Sequence, residues 1–128
     1  MDESRIRKCV LALAKEHKSI LKKVLHPKPM LAGGLVERWL KCGKANCHCR
    51  DGKLHGPYYY LSVLEKGRPR TIYLGYDDKF EVKLLRRYQE FQRSIARLNL
   101  LNRRTIELLW TLGEDKIKVF NMKRGNRL

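Results

Sequence analysis

The sequence predicts an α+β protein: an N-terminal helix, a three-stranded antiparallel sheet whose first hairpin is tipped by a metal loop, and a long C-terminal helix. Three observations predict it. Apolar residues recur at helical spacing near the N-terminus, aromatic and branched runs parted by turn residues fill the middle, and a heptad rhythm fills the last third. Between the first two extended runs stands Cys42-Gly-Lys-Ala-Asn-Cys47-His-Cys49, with His55 six positions further on.

Residues 1–30 form the first element. Ile6, Val10, Leu13, Ile20 and Val24 fall on one helical face from Ser4 to Leu25, and Leu21 and Leu25 widen it. Asp2 or Ser4 is the expected N-cap, Pro27 and Pro29 end the helix, and five lysines (8, 15, 18, 22 and 23) cover much of the remainder. Cys9 reads as a small buried side chain.

Residues 33–76 carry the sheet. Gly33-Gly34 opens it and Leu35 to Lys41 is the first strand, with Val36, Arg38 and Leu40 on one face and Glu37, Trp39 and Lys41 on the other. Pro57 launches a second strand from Tyr58 to Leu64. Lys66-Gly67 turns into the third, Pro69 to Leu74, closed by Gly75. Tyr59, Leu61, Val63, Ile72 and Leu74 are expected toward the core. Trp39, Lys41, Tyr58, Tyr60 and Tyr73 are expected together on the outer surface, with Arg68 and Arg70 near its edge.

The long helix, residues 77–112, starts from an N-cap at Asp77 or Asp78 and stops before Gly113. Leu84, Tyr88, Phe91, Ile95, Leu98, Asn102, Thr105, Leu109 and Leu112 keep a 4-3 rhythm, with Leu85, Leu101 and Leu108 beside it. Two partners suit such a seam, the N-terminal helix of the same chain or a second copy. In a homodimer the seam would be Tyr88, Phe91, Ile95, Leu98, Asn102 and Leu109, and a single seam Asn is a known way to fix register. Residues 113–128 form a basic tail with Lys116, Lys118, Lys123, Arg124 and Arg127.

Three thiols and an imidazole in so short a stretch supply the ligands that tetrahedral zinc takes. Cys42, Cys47 and Cys49 are the thiolate ligands. His55 leaves a better-sized loop as the fourth, with His48, flanked by two ligands, as the alternative. Four protein ligands leave no position for water, so Zn2+ here is structural. Asp51 is the only acid near enough to serve as a base.

Charge sets the partner class. The 128 residues include 29 Lys and Arg against 13 Asp and Glu, a formal net charge of +16. Such self-repulsion is relieved by a polyanion, nucleic acid first and an anionic membrane surface second. No run reaches membrane-spanning length and the N-terminus reads as no signal peptide, so a cytoplasmic protein is expected, where clustered cysteines hold metal. Paired carboxylates, a nucleophile with its base and a phosphate-binding loop are all absent from the sequence, so no enzyme is expected. The reading is a double-stranded DNA-binding protein. Its expected contacts are Arg38, Lys41, Lys44, Arg50, Arg68 and Arg70 on phosphate and Tyr58, Tyr60 and Tyr73 on sugar or base. RNA or single-strand binding, with stacking tyrosines, and a dimeric protein-interaction adaptor are the alternatives.

A signature runs Gly34-Leu-Val-Glu-Arg38, Cys42-Gly-Lys-x-x-Cys47-x-Cys49, His55-Gly-Pro-Tyr-Tyr-Tyr-Leu61, then Gly67-x-x-Arg70-x-x-Tyr73-Leu-Gly75. Over that third of the chain the sequence resembles a family of uncharacterised small prokaryotic proteins often found near mobile elements and viruses. Its order of strands, hairpin and helix is also similar to the arm-type DNA-binding domains of tyrosine integrases, which insert a three-stranded sheet into the major groove and back it with a helix. The resemblance implies a mobile-element setting and duplex contact through the sheet. This chain departs from the integrase pattern in its metal loop and its longer helix.

Overall fold

The computed structural model describes residues 2–76 and 80–120, with Arg50 described by its backbone alone. The expected N-cap at Asp77 or Asp78 and the tail cations Lys123, Arg124 and Arg127 lie outside the described residues. In chain order the elements are α1 (Glu3–Val24), β1 (Gly34–Leu40), a 3-10 turn (His48–Asp51), β2 (His55–Glu65), β3 (Arg68–Gly75) and α2 (Phe80–Glu114). The three strands form one antiparallel sheet in the order β1-β2-β3, so the fold is the expected α+β arrangement.

The chain divides into two compact units, one from Pro27–Arg93 and the other from the described parts of Met1–His26 and Ser94–Leu128. The first contains the sheet. Strand pairing sets Val36 opposite Tyr60 and Tyr60 opposite Tyr73, with Arg38 opposite Tyr58, so these residues share one face. Leu35, Leu61 and Ile72 share the other, as do Glu37 and Tyr59. The first half of α2 covers that second face. The Arg86 guanidinium lies 5.6 Å from the Tyr59 ring centroid and donates to the Tyr59 hydroxyl and to Glu37, both at 3.4 Å. Tyr59, Val82 and Leu85 are buried there. The segment before β1 is tied to the same helix, because the Leu31 amide donates to the Leu84 carbonyl and Arg87 to the Pro29 carbonyl, each at 3.1 Å.

One expected grouping is reversed. Arg38, not Trp39, stands with the tyrosines. The Trp39 ring lies against Gly56, where an added Cβ would come within 3.1 Å of it. Alternation fixes faces within a strand, whereas the relation between strands depends on register, and the regular register here sets Arg38 opposite Tyr58 and Val36 opposite Tyr60.

In the second unit Asp2 caps α1, its carboxylate accepting from the Arg5 amide at 2.9 Å. Glu16 pairs with Arg97 through contacts of 2.8 and 3.0 Å, and Glu3 approaches Lys116 at 3.9 Å, so α1 and the end of α2 run antiparallel. Ile6, Leu101 and Leu108 are buried, whereas Cys9 is half-buried rather than enclosed. The packed stripe of α2 here is Leu98, Leu101, Thr105, Leu108 and Leu112, which keeps the 4-3 rhythm but is turned by one residue from the expected seam. Asn102, Ile95 and Leu109 are exposed. The reason is the amide. Burying Asn102 needs a partner for each polar atom, while the adjacent stripe offers leucines and a Thr105 hydroxyl already bonded to the Leu101 carbonyl at 2.8 Å. Gly113 does not stop the helix either; its carbonyl accepts from the Lys116 amide and α2 continues to Glu114.

Candidate functional site

The metal loop joins β1 to β2. Cys42 lies just beyond β1 and His55 is the first residue of β2, which is longer at both ends than expected. Between them the 3-10 turn presents Cys49, which is buried, and Gly52 closes that turn at φ 97, donating to the Cys49 carbonyl at 3.3 Å. The ligand atoms of Cys42, Cys47, Cys49 and His55 all lie within 4.8 Å of one another. Cys42 Sγ is 3.4 Å from Cys49 Sγ, and Cys47 Sγ is 3.0 Å from His55 Nε2. A tetrahedral ion with bonds of about 2.0–2.3 Å has ligand–ligand edges of roughly 3.3–3.8 Å. The donor set therefore has the size and softness to hold one metal ion.

Backbone geometry supports the thiolates: the Cys42 amide points at Cys49 Sγ at 3.4 Å. A hydrogen bond from the Lys44 backbone lowers the Cys42 pKa. Contact with Cys49, burial and the neighbouring Cys47 together outweigh it, leaving the thiol raised. His48 is exposed, 4.0 Å by its Nδ1 from Cys47 Sγ and edge-on to the His55 ring at 5.4 Å between centroids. It flanks the cluster, and His55 completes it.

The face of the sheet away from α2 is an aromatic platform. Tyr60 and Tyr73 pack at 5.2 Å between ring centroids, Tyr58 and Tyr76 at 5.4 Å, and the Arg38 guanidinium lies 4.8 Å over Tyr60. Tyr73 and Tyr76 remain 55% and 53% exposed among the described residues. Desolvation, then the neighbouring tyrosines and Cys42, raise the Tyr58 phenol above its ordinary range, so it stays a hydrogen-bond donor. Tyr76 is absent from the sequence-based selection. Alternation from Tyr73 would turn it inward, but an irregularity opposite Tyr59 and Tyr60 adds one residue to β3 and brings it back.

The structure gathers only some of the selected cations. Arg38 is on the platform. Lys41 and Lys44 are exposed around the metal loop, and Arg50 belongs to its 3-10 turn. Arg68 and Arg70 stand opposite Glu65 and Val63, in register with the α2 side of the sheet, and Arg70 pairs with Glu65 at 2.7 Å. Of the selected dimer seam, Tyr88, Phe91 and Leu98 are half-buried within the chain, while Ile95, Asn102 and Leu109 are exposed.

Fold and site together define a small α+β domain whose first hairpin closes on a Cys3His cluster. Residues 5–86, from α1 through the sheet into the first turns of α2, match the family described as a domain of unknown function (DUF6788), and the chain belongs to that family. No curated protein and no solved structure matches. Among the described residues no helix is long and apolar enough to cross a membrane.

Proposed function

We propose that this protein is a non-enzymatic nucleic-acid-binding module of the cytoplasm, stabilised by one structural Zn2+. The observation that carries the reading is the open tyrosine face with Arg38, set beside a four-ligand loop bearing Lys41 and Lys44, in a chain of net charge +16. Zinc suits the closed Cys3His set, holding the hairpin without offering a site for chemistry. Lysines and arginines supply affinity by displacing counterions from phosphates. That term serves duplex DNA, the partner that the charge and the integrase likeness suggest, and equally serves other nucleic acids. Work for a mobile element or its regulation fits the same likeness.

The test is fluorescence anisotropy of zinc-loaded protein with labelled duplex DNA, single-stranded DNA and RNA at low and near-physiological salt, with heparin as competitor. Binding that survives both, and weakens when a chelator removes zinc, supports the reading. Failure of all three probes to bind at low salt overturns it.

A second reading has its own observation. Ile106, Leu109 and Trp110 line an exposed apolar hollow on α2, and Trp110 is 63% exposed. Self-association through this strip would make the protein a dimeric adaptor. Sedimentation of the wild type and of Trp110→Glu decides it: a dimer that the substitution dissociates supports the adaptor, and a concentration-independent monomer removes it.

A further inference from the structure

We propose that the open face takes unpaired nucleotides, one base on each tyrosine pair, along a single strand that follows β2. The inference rests on the nucleic-acid reading and names the ligand class for its sheet.

Spacing carries it. Tyr58 and Tyr60 are alternate residues of β2, so the pairs they back stand about 6.7 Å apart along the strand. Stacked bases in a duplex rise only about 3.4 Å, half that distance. Two adjacent bases can engage both pairs only when splayed apart, as in single strands, loops and bulges. A duplex also hides its base faces within the stack, leaving tyrosine rings nothing to stack on. The exposed members are Tyr73 and Tyr76, while Tyr60 and Tyr58 are half-buried and support them from beneath. The platform thus presents two rings outward on two rigid backings.

Charge complements the rings. Arg38 lies over Tyr60, where its guanidinium plane extends the stacking surface and its N–H groups stay available to a phosphate. Exposed cations stand at both ends of β2: Lys41 and Lys44 by the metal loop, and Lys66 in the turn to β3. A strand laid along β2 crosses aromatics at its middle and cations at either end, the composition of a single-strand groove.

Anisotropy distinguishes the outcomes, using zinc-loaded full-length protein and labelled oligo-U RNA, oligo-dT DNA and a duplex, each of about twelve nucleotides or base pairs. At near-physiological salt the single strands should bind more tightly than the duplex. Tyr73→Ala and Tyr76→Ala should each weaken single-strand binding roughly fivefold or more and leave the duplex unchanged, and Tyr73→Phe should behave as wild type. Both positions are half-exposed, and retained zinc and circular dichroism show that each variant is folded. Oligo-U against oligo-dT tells which sugar is preferred. Duplex binding equal to or tighter than single-strand binding, with the alanine variants unchanged, overturns the inference and leaves the nucleic-acid reading standing. No binding by any probe at low salt overturns both.

Discussion

His55 and His48 show how much a single position decides. Both are imidazoles within reach of Cys47, yet only His55, held in β2, stands with all three thiols. His55→Ala and Cys47→Ser should therefore lose bound zinc and at least about 2 kcal/mol of unfolding free energy. His48→Ala should keep the metal. Zinc stoichiometry with denaturant titration checks all three. Gly56 is a second such position, at φ 148 with an added Cβ only 2.8 Å from the Arg38 carbonyl. Gly56→Ala should cost roughly 1–3 kcal/mol by thermal unfolding. The ligands were legible because few residue types bind zinc and their spacing limits the loop. The steric demand at Gly56 was not, since it arises from Arg38 and Trp39 across the hairpin.

At the scale of the element, periodicity showed that α2 is a long amphipathic helix but not which stripe is packed. Leu98 suits either seam, Leu101 and Leu108 suit one and Leu109 the other, and the choice fell against burying the amide of Asn102, which is exposed. Leu101→Ala should accordingly cost about 2–5 kcal/mol, whereas Leu109→Ala should stay within about 0.5 kcal/mol for a monomer, both by chemical denaturation. The Glu16–Arg97 contact adds a pH dependence. Its hydrogen bond, aided by the charge of Arg97 and opposed by desolvation, holds the Glu16 carboxyl below its ordinary value. A carboxylate lowered by folding contributes stability that is present above its unfolded pKa and lost as pH falls through the folded one. Glu16→Gln should therefore flatten the acid side of the stability profile and leave neutral pH little changed, the pair being solvent-exposed. In the sheet, alternation placed the tyrosines correctly within each strand. Arg38 came to their face through the register of β1 on β2, and Tyr76 through an irregularity in the pairing of β3, neither of which a single-strand pattern reveals.

For the whole molecule, charge was plain in the sequence and its destination was not. A net charge of +16 calls for a polyanion without saying whether its bases are paired. Log affinity should fall linearly with log salt, with a slope of about −0.9 per neutralised phosphate on duplex DNA and about −0.7 on single strands. Lys41→Gln combined with Lys44→Gln should make that slope shallower by roughly one for each phosphate no longer neutralised, while Tyr76→Ala should lower affinity at constant slope. Titrations across salt concentrations separate the two effects. The fold class could be read from the order of patterned segments. The division of α2 between two packing environments could not, because nothing in its own sequence marks where one gives way to the other.

Trp39 against Gly56 has a use of its own. The chain has two tryptophans, and this one touches the residue that follows His55. Indole emission depends on local polarity and quenching, so Trp39 is a built-in optical gauge of hairpin closure. The other, Trp110, lies on the exposed apolar strip of α2. With Trp110→Phe as the parent, a change in emission during zinc titration reports the hairpin without any attached dye. With Trp39→Phe, a change on raising the concentration reports contact between copies. Two single-indole proteins thus turn metal loading and self-association into separate signals, readable in the same cuvette.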